Sequence, residues 1–119
     1  MQIQVNTDKH VEGSAALTAH VDAVLRAALR HVRDHVTRVE VHLSDASGAR
    51  SGGADMRCLM EARLERHPPL VVTQHAASVH QALEGAADKL RAALQATIEQ
   101  IADARRRRSD DGGVGGGTS

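Results

Sequence analysis

The chain contains no phenylalanine, tyrosine or tryptophan, only one cysteine and two prolines in 119 residues. Without aromatics, a core must be assembled from Leu, Val, Ile, Ala and Met. Each such side chain contributes about 1.5–3 kcal/mol or less on burial, so a modest stability is expected. The same absence removes base stacking on aromatic rings, on which single-strand binders and RNA-recognition sheets rely. One cysteine, Cys58, excludes an intramolecular disulfide and fits a reducing cytoplasm. With no activating neighbour in view, it reads as a small buried strand residue. No apolar run approaches the roughly 20 residues of a membrane span, and no signal-peptide pattern opens the chain. A cytoplasmic protein without a membrane partner is therefore expected.

Net charge is also missing: 15 basic and 15 acidic side chains give +0. The balance is uneven along the chain. Taking Arg105 to Arg108, Asp110 and Asp111 from those totals leaves a body of net charge −2. A strongly basic nucleic-acid-binding domain does not have this balance. Eight histidines add positive charge only at mildly acidic pH.

What is present is periodic. Gln2 to Thr7 alternates Ile3 and Val5 with polar residues, the pattern of a short strand. Ser14 is placed to cap a helix running to about Val32, with Leu17, Val21, Val24, Leu25, Ala28 and Val32 in its stripe. From Arg38 to Ser44, Val39, Val41 and Leu43 face one side and Arg38, Glu40 and His42 the other. Asp45 to Ala54, rich in Gly and Ser, reads as a flexible hairpin loop. Asp55 to Arg66 alternates again, with Met56, Cys58, Met60, Ala62 and Leu64 on one face. His67-Pro68-Pro69 is expected to break that strand, because proline removes ladder donors, and Leu70 to Ala76 forms the last strand. A long helix follows from Ser78 to about Ala104, with Val79, Leu83, Ala86, Leu90, Leu94, Ile98 and Ile101 in its stripe.

The order β-α-β-β-β-α predicts an α+β fold: a four-stranded mixed sheet with two helices packed on one face. The crossover through the first helix favours a parallel pair, and the short later connections favour antiparallel ones. Residues 1–104 form one domain. Residues 105–119, four arginines and a Gly-rich end without apolar pattern, are expected to be a disordered tail.

Candidate chemistry is confined to charge. Arg26, Arg30 and Arg33 lie at i, i+4 and i+7 of the first helix and form one basic row able to grip phosphates; the competing reading is a solvated face with Asp22 pairing Arg26. Arg105, Arg106, Arg107 and Arg108 attract polyanions without sequence specificity, or are simply a solvated tail. His31 and His35 are four apart, and His75 and His80 straddle a strand-to-helix turn. No Cys or Glu completes a tetrahedral set at usual spacing, so no metal and no cofactor are expected. No nucleophile–base–orienter arrangement and no phosphate-binding Gly-rich loop appear. The chain is not expected to be an enzyme or to have a small-molecule substrate.

Several strings resemble one family. Met1-Gln2-Ile3-Gln4-Val5 looks like a first strand of the ribosome hibernation promoting factor and ribosome-associated inhibitor family. His10-Val11-Glu12 with Ala16-Leu17, Thr37 to Leu43, and Val79-His80-Gln81-Ala82-Leu83 through Asp88-Lys89-Leu90 look like its first helix start, second strand and closing helix. The resemblance spans roughly residues 1–101. It implies the same four-stranded fold and a factor that binds small-subunit rRNA near the decoding region and inhibits translation in idle or stressed cells. Lys89 matches a basic family position and joins the RNA-binding candidates. Arg91 is a further RNA-binding candidate, but it is displaced by one position, lies roughly 200° from Lys89 around the helix, and is flanked by Asp88 and Glu84, so its competing reading is a local ion pair. Ala92, Gln95 and Ala96 stand where the family has more positive charge, and the long form's C-terminal dimerisation domain is absent. The alternative function is accordingly a diverged protein-interaction domain of the same fold that has lost RNA binding. Exposed sheet edges permit dimerisation without requiring it.

Overall fold

The structure, a computed structural model, describes the backbone of residues 1–47 and 55–118 and the side chains of residues 1–47 and 55–109. Its elements are β1 (Gln2–Thr7), α1 (Ala15–Ala28), a 3₁₀ turn at Arg33–His35, β2 (Val36–Asp45), β3 (Met56–Leu64), β4 (His67–Ala76) and α2 (Val79–Thr118). The sheet order is β1-β2-β3-β4. β1 and β2 are parallel, while β2/β3 and β3/β4 are antiparallel. This is the α+β arrangement that the alternation patterns imply.

The core follows from those patterns. Val39, Val41 and Leu43 of β2 and Cys58, Met60 and Ala62 of β3 are almost fully buried, and Ile3 and Val5 of β1 pack at the margin. Val21 and Leu25 of α1 and Leu83, Leu90 and Leu94 of α2 close over the same face. Ala82, Ala86 and Ala87 are also buried. Their small side chains let α2 lie close on β3 and β4. The opposite face of the sheet carries the polar half of each alternation.

α1 ends four residues before Val32. Ser14 caps its start, its hydroxyl accepting from the Leu17 amide at 3.0 Å, and Leu29 is its C-cap. Beyond it the chain tightens: the Val32 amide donates to the Leu29 carbonyl and the His35 amide to the Val32 carbonyl, both at 3.0 Å. Such turns put i and i+3 on one side. Leu29 and Val32 therefore stay buried after the α-helix has ended, and Val36 is buried as the first residue of β2, so the apolar stripe does not register the change.

The prolines do not break the sheet as expected. Leu64 pairs with His67 across a two-residue turn, Glu65-Arg66, and β4 begins at His67. Arg66 takes a left-handed φ of 60°. Pro68 and Pro69 sit at a register shift between Ala62 and Leu64 on the edge strand, where missing amide donors cost least. The Gly/Ser-rich hairpin loop lies largely outside the described residues. At its base the Ala46 amide donates to the Asp55 carbonyl at 2.7 Å.

α2 runs past Ala104 to Thr118. Arginine is a good helix former, so Arg105–Arg108 continue the helix although all four are exposed and the apolar stripe has ended at Ile101.

Candidate nucleic-acid interface

The basic candidates fall into three groups. Arg26 lies in the last turn of α1, Arg30 in the turn after it and Arg33 in the 3₁₀ segment. The expected single helical row of Arg26, Arg30 and Arg33 is therefore not formed, because the α-helix ends at Ala28. The three arginines remain close in sequence at one end of the domain. Arg26 donates from Nε to Asp22 Oδ2 at 2.8 Å, with both side chains about half exposed. Arg30 approaches the His31 ring at 3.5 Å.

Lys89 and Arg91 lie in the N-terminal third of α2. Lys89 donates from Nζ to the Thr73 carbonyl at 2.9 Å. Thr73 belongs to the edge strand β4, so the ammonium ties helix to sheet at the sheet's margin. Arg91 makes no ion pair with Asp88 or Glu84 among the described residues. Its Nη1 reaches Gln95 Oε1 at 3.5 Å instead. Residues 84 and 88 lie N-terminal to Arg91 on the helix, whereas the guanidinium extends one turn toward the C-terminus.

Arg105–Arg108 stand about 24 Å further along the axis from Lys89 at 1.5 Å per residue. Arg106 pairs with Asp103. Arg105 and Arg108 line a groove with Asp34 and His35 from the 3₁₀ segment and Arg66 and His67 from the β3–β4 turn, over Leu64, Ile98 and Ile101. The fold thus brings the segment that follows α1 to the arginine run. Arg66 and His67 belong to this rim although the sequence did not single them out as binding residues, and His35, weighed there only as a metal ligand, joins them. Only the pairing of the β3–β4 turn with the end of α2 reveals it.

The open sheet face is ordered in cross-strand rows. Arg38 faces Arg63, and Glu40 faces Glu61. Arg57 pairs with His75 of β4. Each arginine of the first row bonds along its own strand, Arg38 to Glu40 at 2.8 Å and Arg63 to Glu61 at 3.2 Å. His75 meets Asp55 at 2.9 Å. The two part-exposed Arg–Glu pairs contribute under about 1 kcal/mol each, but each sets a carboxylate beside a guanidinium on this face. With no aromatic on it, this sheet offers nucleic acid neither stacking nor a continuous cationic field.

Cys58 is fully buried and desolvation pushes its thiol up to about 12. Asp45 is held below the usual carboxylate range by the hydroxyl and amide of Ser47, a turn-capping arrangement. Among the described residues, no three His, Cys, Asp or Glu side chains gather as a metal set, and no helix is long and apolar enough to cross a membrane.

Comparison with known proteins agrees with this fold. Two solved structures share the fold. The N-terminal domain of Protein Y from Thermus thermophilus superposes with a TM-score of 0.66 at 20% identity, covering 82% of this chain and 99% of that one. A ribosomal subunit interface protein from Coxiella burnetii gives 0.70 at 14% identity, covering 83% and 99%. A search of curated protein sequences returns no match. The family model described as sigma 54 modulation protein / S30EA ribosomal protein matches residues 3–102. That span takes in β1 from Ile3 on, the other three strands, α1 and the packed part of α2. The family consists of non-enzymatic binding factors, and this chain belongs to it.

Proposed function

We propose that the protein is a ribosome-associated factor that binds small-subunit rRNA near the decoding region and lowers translation in idle or stressed cells, acting in the cytoplasm. The observation that carries this reading is the family match across residues 3–102. As a member of a family of binding factors, the protein is read as acting by occupying space on the ribosome. Arg26, Arg30 and Arg33 at one end of the folded body, Lys89 and Arg91 on α2, and Arg105–Arg108 beyond them are the phosphate-directed groups. Arginine suits this task because its fork grips phosphate oxygens in pairs. The contacts are expected to be salt-sensitive and few. Chemical footprinting of small-subunit rRNA with and without the protein tests the reading. Protection near the decoding region, together with reduced yield in a cell-free translation reaction, supports it; an unchanged footprint at low salt removes it.

A second reading is favoured by the ion pairs on the open face. With Arg38 and Arg63 paired to Glu40 and Glu61 and a body charge of −2, the same fold suits a protein partner that is insensitive to salt. Capture of a protein partner by residues 1–104, unchanged between low and high salt, distinguishes it.

A further inference from the structure

His20 of α1 and His80 of α2 are far apart in the chain, and the fold brings their rings together. His80 Nδ1 stands 3.0 Å from His20 Nε2. The ring centroids are 4.6 Å apart and the planes cross at 73°. His20 is half-buried and His80 exposed.

A hydrogen bond between these two nitrogens requires one to donate and the other to accept. With both rings aligned along that bond, the centroids would stand about 5.3 Å apart at a normal N···N distance. The observed 4.6 Å shows that the rings are angled away from that line. Two imidazole nitrogens on one cation, each about 2.05 Å from it and at right angles, are about 2.9 Å apart with centroids about 4.5 Å apart. At the tetrahedral angle the same separations become about 3.4 and 5.1 Å. Both measured distances match the right-angle case.

We propose that His20 and His80 form a binding site for a first-row divalent transition cation of the nickel or copper(II) class, which clips α1 to α2. Neutral imidazole is a preferred ligand for these ions, and their tetragonal geometry supplies cis positions at right angles. Tetrahedral zinc requires the pair to open by about 0.4 Å. Solvent has access at His80, so water fills the remaining positions. The site has two protein ligands, and the N-terminal end of α2 modestly opposes a cation. Both features keep it weaker than a closed structural centre. Because the two ligands come from separate helices, the unfolded chain lacks the site and binding stabilises the folded state. The inference does not depend on ribosome binding.

Thermal unfolding of the untagged full chain in about 1 mM NiCl2 tests it. The Tm is expected to rise on the order of 5 °C, by less with ZnCl2, and to return on adding EDTA. His20→Ala and His80→Ala each abolish the rise, whereas His31→Ala and His35→Ala keep it. No rise in the parent protein, or a rise that survives His20→Ala and His80→Ala, overturns the proposal. A second readout covers variants that fold poorly: substoichiometric Cu²⁺ added to the parent protein broadens amide resonances around His20 and His80 first. Broadening centred elsewhere also overturns it.

Discussion

A Cβ placed on Gly85 would lie 2.7 Å from Cγ of Gln74, so α2 meets β4 with no space for a side chain at this position. Mid-helix glycine costs up to about 1 kcal/mol relative to alanine, and here it is retained where the helix crosses a strand residue. Gly85→Ala is expected to destabilise the domain by about 1–2 kcal/mol through overpacking. In a Gln74→Ala background the same change is expected to stabilise by up to about 1 kcal/mol. Urea unfolding of the four proteins in this cycle measures both signs.

Asp22 holds Arg26 in an exposed i, i+4 pair. Asp22→Asn is expected to change stability by under about 0.5 kcal/mol. It frees a guanidinium and raises the body charge by one. Salt-sensitive affinity for small ribosomal subunits is expected to increase, as read by filter binding at two ionic strengths.

Cys58 is expected to resist thiol reagents at pH 8 in the folded protein and to react fully in denaturant. The folded thiol is pushed from 9.0 up to about 12 by desolvation, so the neutral form is favoured on folding. The resulting stabilisation is complete below about pH 9 and is lost as pH rises from there toward about 12. Labelling rates across urea concentrations check the protection, and unfolding free energies measured between pH 8 and pH 11 check the sign.

Truncation after Ala104 removes four exposed arginines and, among the described residues, leaves every buried one in place. Unfolding by urea is expected to be nearly unchanged. If the four arginines touch phosphates, the slope of log affinity against log salt falls by up to about 3. Equilibrium binding to ribosomal subunits at several salt concentrations gives that slope.

The sheet was legible because Val39, Val41 and Leu43, and then Cys58, Met60 and Ala62, alternate without interruption, and alternation in a one-sided sheet states which face is buried. The end of α1 was hidden because Leu29 and Val32 are three apart, a spacing that α-helical and 3₁₀ turns share. Pro68 and Pro69 suggested a break, but their effect depends on whether the strand is an edge, which is a property of the whole sheet. Candidate charges were legible as residue types and not as partners. Asp22 with Arg26 is local and could be read. Lys89 with Thr73, Arg91 with Gln95 rather than Asp88, and His20 with His80 depend on helix placement and side-chain direction, which spacing does not carry.

Co-sedimentation with purified small ribosomal subunits, run as a salt series on the full chain, on residues 1–104 and on Arg26→Glu and Lys89→Glu, addresses ribosome binding by the folded body most directly. Both the full chain and residues 1–104 are expected to pellet at low salt and to be released as salt rises, and the two charge reversals are expected to weaken that binding while the variants stay folded. Failure of the full chain to pellet at low salt, or binding lost with residues 105–119 alone, would contradict it.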